Sequence, residues 1–475
     1  MSALASLWSL VQRVRVVAEP PPRSASVAPP PAPTRPTLAV APSRFEQIEQ
    51  AVWARWRPQV CAAVTAALVE EATTLRAGVR PLCCGQPMRR HDTRAVSWLT
   101  WVGRVQVPVD RYRCRTCRQD RRPLLDRLEV EPGRASGGLT RQLALLGTVV
   151  PFTLAADLAW PLLGVRTDAM RVWRAVQRLG AAAHGYTDAL SAYHAAPGSV
   201  APAPPTAPPP PAVVVAVDGC VVGVQPRATR RRRPTKTTPL PALPPVEGTF
   251  REVKTGVVLV PTDRVTLPDR ARLVRRIVVT GLADADALFQ QVTAQLRERG
   301  WLTAQTVVVI VGDGSEWIWQ RAALFAHRCE ILDFWHAMAY AWAYARLQFG
   351  EGARRAETWT HRVAADLKAG EVEAVIARLH QLQPRSPDAA VARDAVLRYY
   401  TTHAPRMRYD KYLARGYGIG SGAVESAHKQ VVHARLRQAG MRWSVRGAQH
   451  VLALRALLLN GAWAQTDQLR LARAA

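Results

Sequence analysis

The run VVVAVDGCVVGV, residues 213–224, decides the fold class of this protein. A continuous apolar run of this kind, rich in Val and preceded by prolines, predicts a strand buried on both faces of a sheet. Further strands are predicted in FREVKTGVVLVP (250–261), RRIVVTGL (275–282), QTVVVIVGDG (305–314) and the start of RCEILDFWHA (328–337). With helices at about 284–299, over 338–405 and over 421–440, ending at Gly440, this order predicts an α/β domain with a mixed sheet.

Three isolated carboxylates lie in this otherwise basic region. Asp218 ends the first strand run, Asp313 ends the fourth, and Glu425 lies in IGSGAVESAHK. A carboxylate at the carboxyl end of a buried strand points into the crevice where α/β proteins bind ligands. Mg²⁺ prefers oxygen ligands, and two such ions assist in-line phosphoryl displacement. The trio therefore predicts a two-metal phosphoryl-transfer site, although any one strand-end Asp is as often a cap or a turn former.

Several motifs carry a resemblance to a known family: VVVAVDG, VIVGDGSEWIW, ILDFWHA, YGIGSGAVESAHK, RLRQAGMRWS and VLALRALLLNGAW. In this order, over about residues 210–465, they resemble the bacterial insertion-sequence DDE transposases of the ISKra type, which are distantly Mutator-like. The resemblance implies a ribonuclease-H-like catalytic domain at 213–465 with a helical insertion at about 338–417. It implies that Asp218, Asp313 and Glu425 are the catalytic triad and hold two Mg²⁺ or Mn²⁺ ions.

The same resemblance implies the function and the partners. The expected reaction is DNA strand cleavage followed by strand transfer. The expected partners are double-stranded DNA, as the terminal inverted repeats of an insertion sequence and as target DNA, and further copies of the chain in a homodimer or higher multimer. Two alternatives stay open. One is a catalytically inactive, domesticated DNA-binding protein derived from a transposase, and the other is a metal-dependent nuclease or resolvase without strand transfer.

Further residues are expected near the carboxylates. Asp333 and His336 form a D-x-x-H motif, which by resemblance helps to position or bind DNA; a capped helix with a buried His is the alternative. Trp317, two residues before Trp319, is a candidate for stacking on an unpaired base, and at least one of the two is expected in the core. His428 and Lys429 lie three and four positions after Glu425 and are expected to flank it.

Four of the seven cysteines predict a structural zinc site. Cys114 and Cys117 form C-x-x-C, which suits half of a zinc knuckle. Cys84 is the natural third ligand, and Cys83 or His91 is the fourth. Pro81 stands where the resemblance favours the first Cys of C-x-x-C-G. Unpaired cysteines in such a cluster indicate a reducing compartment, so a cytoplasmic, nucleoid-associated location is expected.

The charge predicts a polyanionic partner. The chain has 64 Lys and Arg against 36 Asp and Glu, a net charge of +28. Nucleic acid is the default partner for such a charge, and a membrane is disfavoured because no uninterrupted apolar stretch of about 18 residues exists. No signal peptide is expected. The candidate DNA contacts are arginines in three segments: Arg166, Arg171, Arg174 and Arg178; Arg230, Arg231, Arg232 and Arg233; and Arg435, Arg437 and Arg442.

Proline-rich stretches suggest the domain boundaries. The expected order is a disordered Pro-rich arm (1–42), N-terminal helices (43–79), a zinc-ribbon-like β module (80–130) and an α-helical region (131–195). A Pro-rich linker (196–212) and the catalytic domain (213–465), with an Arg-rich loop at 226–248, complete the chain. The helical region is expected to contain a helix-turn-helix, with a turn at Gly164, an N-cap at Thr167 and a recognition helix at 167–179. A plain helix pair is the alternative.

Overall fold

The computed structural model describes residues 43–128, 130, 135–199, 208–225, 249–266, 271–273 and 276–469. The predicted Pro-rich arm and the Arg-rich loop with Arg230, Arg231, Arg232 and Arg233 lie outside these residues. The chain divides into two compact units, residues 1–55 and 56–475. Helix α1 (Arg44–Ala77), whose first residues belong to the first unit and whose remaining residues belong to the second, begins with a reciprocal capping box. Its two bonds run from Ser43 N to Glu46 Oε2 at 2.6 Å and from Glu46 N to Ser43 Oγ at 3.2 Å.

The cysteine module, residues 80–128, is rich in β structure as predicted. A short hairpin, β1 (Leu82–Cys83) and β2 (Gln86–Pro87), precedes the long hairpin of β3 (Arg89–Thr100) and β4 (Gly103–Arg113). Strand β5 (Asp120–Arg121) joins β4, and helix α2 (Pro123–Leu128) follows. Val105, Val107 and Val109 alternate along β4 and are all buried, which gives the module a small core of its own.

Three helices follow: α3 (Gly137–Val149), α4 (Phe152–Leu163) and α5 (Ala169–Ala195). Gly164 ends α4 in the left-handed conformation that the predicted turn requires, with φ 63°. The predicted N-cap at Thr167 is wrong by one residue, because the carboxylate of Asp168 accepts from Arg171 N at 2.8 Å. The expected recognition helix is the first half of a helix of 27 residues.

Helix α5 shares its core with the sheet domain instead of forming part of a separate one. Its buried residues, Val172, Val176 and Leu179 among them, belong to the same apolar cluster as the strands after residue 211. A Cβ on Gly180 would lie 2.5 Å from the Cβ of His450, in helix α15 (Val445–Leu459). Only a residue without a side chain allows these two helices to approach so closely. Residues 137–195 are therefore a structural layer of the larger domain.

The central sheet is mixed, as the sequence predicts. It consists of β6 (Ala212–Val224), β7 (Thr249–Leu259), β10 (Arg276–Gly281), β11 (Val307–Gly312) and β12 (Arg328–Leu332), in the order β10-β7-β6-β11-β12. Strands β6, β7 and β10 are antiparallel neighbours, whereas β11 is parallel to both β6 and β12. A small hairpin, β8 (Arg264–Thr266) and β9 (Ala271–Leu273), was not predicted. Helices α6 (Ala285–Glu298) and α7 (Glu316–Ala322) complete the α/β part.

A helical segment separates β12 from the helix that carries Glu425. It contains α8 (Phe334–Phe349), α9 (Arg354–Lys368), α10 (Val372–Gln381), α11 (Pro387–His403) and α12 (Tyr409–Ala414). The helix predicted at 421–440 is shorter and less regular than expected. It comprises α13 (Gly422–His428), a π-helical turn at Lys429–His433 and α14 (Ala434–Leu436), so it ends before Gly440. None of the helices within the described ranges combines the length and the apolarity needed to cross a membrane.

Arg435, expected on a DNA-binding surface, lies in the core. It is 1% exposed, and its Nε donates to the carbonyl of Gly147 at 3.0 Å. Its guanidinium lies 4.6 Å from the ring centre of Phe152 and 4.9 Å from that of Trp443. Burial lowers the pKa of Arg435 to about 10. The side chain thus fastens the Glu425 segment to the end of α3 and is not available to DNA.

Candidate functional site

Three aspartates line up across three neighbouring parallel strands. Asp313 and Asp333 directly follow β11 and β12, whereas Asp218, predicted at a strand end, lies inside β6, which continues to Val224. Ala216 of β6 pairs with Val311 of β11, and Val311 pairs with Ile331 of β12. Asp218, Asp313 and Asp333 each lie two residues beyond this row. Adjacent strands are about 4.8 Å apart, so the backbones of the three aspartates lie side by side. The sheet therefore gathers at one edge residues that are up to 115 positions apart in the sequence.

Asp218 and Asp313 are held by local donors. Asp218 Oδ1 accepts from the backbone N–H of Gly219 at 2.7 Å, and the side chain is 18% exposed. Asp313 accepts from Ser315 twice, from the backbone N at 2.9 Å and from Oγ at 3.1 Å. The carbonyl of Asp313 accepts from the Tyr399 hydroxyl at 2.6 Å, which anchors the strand end to helix α11. Both carboxylates remain half-buried at the edge of the sheet.

Asp333 is fully buried and organises the third strand end. It caps helix α8 by accepting from Trp335 N at 2.8 Å, and its Oδ2 accepts from His336 Nδ1 at 2.9 Å and from the hydroxyl of Ser421. Burial alone would raise the pKa of Asp333, but the bonds from His336 and Ser421 outweigh it and lower the pKa. Asp333 is thus an internal anion whose oxygens are already engaged.

His336 is a cation at neutral pH. The hydrogen bond to Asp333 raises its pKa to about 9, and the carboxylates of Asp313 and Asp218 act in the same direction. The side chain is 39% exposed. Of the alternative, a capped helix with a buried His, the cap is present at Asp333, but His336 is not buried. His336 offers a partly exposed imidazolium beside the row of aspartates, which suits a phosphate oxygen.

Helix α13 brings Glu425 to the same edge. The helix packs against β6 and β7. Ser421, directly before the helix, and His428, its last residue, connect it to the aspartate row. Ser421 Oγ, which is buried, lies 3.1 Å from Glu425 Oε1 and also donates to Asp333. His428 Nδ1 lies 3.4 Å from Asp218 Oδ2, and its buried Nε2 has no hydrogen-bond partner among the described residues. The π-helical turn begins directly after His428, and such turns are frequent at functional sites.

The donor set at this edge suits a hard divalent cation. Carboxylate oxygens from Asp218, Asp313 and Glu425 are the ligands that Mg²⁺ prefers. The ligand atoms of these three residues do not converge as closely as those of a preformed metal site; among the described residues only the four cysteines do so. Each of the three carboxylates is bonded to its local donors instead. The chemistry of the donor set therefore fits such a cation.

The structure distinguishes between the tryptophans near the site. Trp319 is buried beneath the guanidinium of Arg406, and Trp317 is half-buried between Lys254 and Phe289, so neither projects from the site. Trp335 is 63% exposed, in the first turn of α8 between Asp333 and His336. A Cβ on Gly420 would lie 3.0 Å from its ring. Sequence analysis missed Trp335, although its position inside the D-x-x-H motif was the available signal.

The predicted basic contacts differ in their exposure. Lys429, Arg437 and Arg442 are exposed on or just beyond the Glu425 segment. Burial, with the charge of Asp218, raises the pKa of Cys220, and the charge of Arg437 is near enough to oppose this rise in part. Around the α4–α5 turn, the guanidinium of Arg166 lies over the Trp160 ring at 4.5 Å. Arg174 is exposed, whereas Arg171 and Arg178 are half-buried.

The four cysteines form a second candidate site, in the cysteine module. The sulfurs of Cys83, Cys84, Cys114 and Cys117 all lie within 4.8 Å of one another. Tetrahedral zinc with Zn–S bonds of about 2.3 Å places its sulfurs about 3.8 Å apart. His91, the alternative fourth ligand, is not part of this group; its Nδ1 instead lies 3.0 Å from Arg111 Nη2. The donor set therefore fits zinc.

Two tight turns bring the sulfurs together. Cys84 adopts a left-handed conformation with φ 49°, which allows two consecutive cysteines to face the same point. In the second turn, the backbone N–H groups of Cys117 and Thr116 lower the pKa of Cys114 to about 6. Arg118, also left-handed with φ 58°, ends that turn. Backbone N–H groups that stabilise a thiolate prepare the turn for a metal cation.

Comparison with known proteins places the chain in no family. No family model matches it, and no curated protein does so. A solved structure with some similarity is a chain of the Drosophila P element transposase strand transfer complex. The TM-score is 0.24 at 10% sequence identity, over 73% of this chain and 84% of that chain. A TM-score this low establishes neither a shared fold nor a shared function.

Proposed function

We propose that this protein is a DDE-type DNA transposase, which binds the ends of an insertion sequence and catalyses DNA strand cleavage and strand transfer. The observation that carries the proposal is the row of Asp218, Asp313 and Asp333 on three neighbouring parallel strands, with the Glu425 helix in contact with both ends of the row. The mixed sheet with β6 at its centre supports the ribonuclease-H-like fold that the sequence resemblance implies.

In the proposed site, Asp218, Asp313 and Glu425 hold Mg²⁺ or Mn²⁺. Bound cations of this kind stabilise the charge that develops on the attacking and leaving oxygens of a phosphodiester. Asp333 has no role as a ligand, because it is buried and its oxygens are engaged by Trp335 N, His336 and Ser421. Its role is to position the imidazolium of His336 and, through Ser421, the carboxylate of Glu425.

The reaction consists of two in-line displacements. In the first, a water oxygen attacks the phosphorus at the end of the element and releases a 3′-hydroxyl. In the second, that hydroxyl attacks a phosphodiester of the target and displaces the 3′-oxygen of the target strand, so the number of phosphodiester bonds is conserved. His336 donates a hydrogen bond to a non-bridging phosphate oxygen in both steps. Lys429, Arg437 and Arg442 contact the flanking phosphates, and two element ends are held by a homodimer or higher multimer.

Strand cleavage with purified protein tests the proposal. The substrate is a DNA fragment carrying the gene with its native flanks, incubated with Mg²⁺ or Mn²⁺. We expect breaks at inverted-repeat ends and joined products, both of which disappear in Asp218→Asn, Asp313→Asn and Glu425→Gln while DNA binding persists. Glu316→Gln is the matched control, since this exposed carboxylate lies three residues after Asp313 and, among the residues that the structure describes, accepts a side-chain hydrogen bond from Gln320 alone.

The same experiment separates the alternatives. DNA binding without breaks, equal in the wild type and the triad variants, would overturn the catalytic proposal in favour of a domesticated DNA-binding protein. Breaks that depend on the triad but yield no joined products would indicate a nuclease or resolvase instead.

A further inference from the structure

The cysteine module carries an unusual excess of positive charge. Residues 80–122 contain eleven arginines and three aspartates. The ends of β3 and β4 and the Cys114–Cys117 turn form an open cleft of ≈ 430 Å³. Its basic lining, called here the arginine cleft, consists of Arg89, Arg90, His91, Arg113, Arg115 and Arg118. All six side chains are exposed, so none of them is required for the packing of the hairpin.

The three aspartates of this region are already paired, mostly with arginines outside the cleft. Asp92 accepts from Arg94 and Arg111, and Asp110 accepts from Arg76. Asp120 is shared between Arg111 and Arg113, at 3.2 and 3.0 Å. Within the described part of the chain no carboxylate pairs with Arg89, Arg115 or Arg118.

The arrangement is costly without an anion. Arg89 and Arg113 are directly opposite each other across the β3–β4 ladder, and like charges in that position destabilise a hairpin. Asp120, which pairs with Arg113, is also shared with Arg111 and so offsets only part of this charge. Arg115 and Arg118 add two more guanidinium groups from the neighbouring turn. Arg118 lines the cleft from a residue in the left-handed conformation, which is uncommon for a residue other than glycine. An anionic ligand among these groups removes the repulsion.

The shape of the arginine cleft indicates which anion it takes. The guanidinium groups come from two strands and a turn, and the cleft is open, so it suits an extended row of phosphates better than one enclosed phosphate. Arginine is the residue whose planar fork matches phosphate oxygens. We propose that the arginine cleft binds the phosphodiester backbone of double-stranded DNA. This inference rests on the proposed transposase function and gives it a DNA contact outside the carboxylate site.

A different role for the arginines would be to neutralise the thiolates. Four thiolates around one zinc ion carry a net charge of −2, and Cys114 lines the same cleft. In that case removal of the arginines would release zinc or unfold the module. If the arginine cleft binds DNA, removal would weaken DNA binding and leave the zinc in place. The two roles therefore predict different zinc contents for the arginine variants, and zinc content can be measured without DNA.

The test measures DNA affinity against salt with the full-length, zinc-loaded protein. A fluorescent DNA duplex of random sequence serves as the probe, followed by anisotropy between 50 and 300 mM salt, and zinc is quantified in the same samples. The double variant Arg89→Gln/Arg115→Gln removes two charges from the arginine cleft. The double variant Arg94→Gln/Arg104→Gln removes two from exposed sites further along the same hairpin. Arg89→Lys/Arg115→Lys keeps the charge.

We expect the cleft variant to bind DNA more weakly, with a slope of log affinity against log salt that is shallower by about 1.8, as for two lost phosphate contacts. The control and lysine variants should keep most of the slope, and zinc content should be equal throughout. Equal slopes in the cleft and control variants would overturn the proposal. So would loss of zinc in the cleft variant, or tighter binding of a matched RNA duplex than of DNA.

This binding measurement needs no strand cleavage. Cleft-dependent binding by a protein that never cuts DNA would support the arginine cleft and contradict the transposase proposal. Cleavage that depends on Asp218, Asp313 and Glu425, together with unaltered DNA binding in the cleft variant, would support the transposase proposal and contradict the arginine cleft as a DNA-binding site.

Discussion

The Nδ1 of His428 lies 3.4 Å from Oδ2 of Asp218, although 210 residues separate them in the sequence. The contact joins the first strand of the sheet to the helix that carries Glu425, one turn before His428. At the other end of the aspartate row, Ser421 connects the start of the same helix to Asp333. The Glu425 helix is thus fastened at both of its ends, which fixes where its carboxylate meets the sheet.

The first prediction concerns His428. His428→Ala removes the contact with Asp218 but leaves both neighbouring carboxylates, Asp218 and Glu425, in place. Loss of a group that orients a ligand costs about 10–100-fold in metal affinity or activity, so we expect strand cleavage to fall by that factor and to require more Mg²⁺. The rate of cleavage against Mg²⁺ concentration measures the effect. His327→Ala, at an exposed position just before the start of β12 and so at the opposite end of that strand from Asp333, is the control. Cleavage that is slower at every Mg²⁺ concentration by the same factor would contradict a positioning role.

The second prediction concerns Trp335. Its exposed ring at the rim of the site is placed to stack on a base that leaves the duplex near the cleavage point. Stacking of one base on an aromatic ring contributes about 1–3 kcal/mol, so Trp335→Ala should weaken binding of DNA with unpaired bases at that point by this amount. Trp335→Phe should keep most of this binding free energy, because phenylalanine still offers an aromatic ring. Quenching of 2-aminopurine at the unpaired position, compared with a fully paired duplex, is the measurement.

Trp101 provides the matched control for that substitution. It is 57% exposed at the turn between β3 and β4, far along the hairpin from the cysteines. Trp101→Ala should leave the quenching unchanged. Equal losses in Trp101→Ala and Trp335→Ala would show that the effect is not specific to the site.

The third prediction concerns zinc. The four converging sulfurs predict one zinc ion per chain, measured by elemental analysis of the purified protein. Cys114→Ser/Cys117→Ser should remove the zinc and make residues 80–122 sensitive to proteolysis, because the turn that holds the hairpin end loses its anchor. Cys61→Ser is the control: this thiol donates to the carbonyl of Arg104 at 3.4 Å and lies outside the cluster. Full zinc content in the double variant would refute the assignment.

The fourth prediction compares two glycines of α5. Gly180→Ala places a methyl group 2.5–2.9 Å from His450, including its backbone, which cannot move easily within α15. We expect a loss of about 1–3 kcal/mol in the free energy of unfolding. Gly185→Ala meets no atom within 4 Å, so the better helix propensity of alanine should stabilise the protein by up to about 1 kcal/mol. Chemical denaturation measures both, and equal effects would contradict the close packing of α5 on α15.

Much of the fold could be predicted because its signals are local. The five strands of the sheet are short apolar runs that end in glycine or a polar residue, and such runs form buried strands wherever they occur. The position of Asp313 directly after its strand could be predicted from the same runs, but that of Asp218 could not, because β6 continues past it to Val224. The paired cysteines were visible too, although the choice between Cys83 and His91 depended on the turn at Cys84.

Other features depended on packing that no local pattern contains. Arg435 belongs to a basic sequence and resembles a surface residue. In the structure it is surrounded by Gly147, Phe152 and Trp443, and the first two are far from it in the sequence. Helix α5 looked like the recognition helix of a separate domain because its first half is amphipathic and basic. Its other contacts, with His450 among them, come from the end of the chain and bind it to the sheet domain.

The sequence by itself therefore determined the five strands of the central sheet, the helical segment before the Glu425 helix, the excess of positive charge and the residues able to act as ligands, since these depend on composition and short-range periodicity. Only the tertiary structure decided that Asp333 stands in line with Asp218 and Asp313 but is buried, that Trp335 rather than Trp317 is exposed, and that the arginines of the cysteine module share one cleft. Register across strands and the packing of distant helices set these outcomes, because burial and electrostatics depend on which residues become neighbours in space.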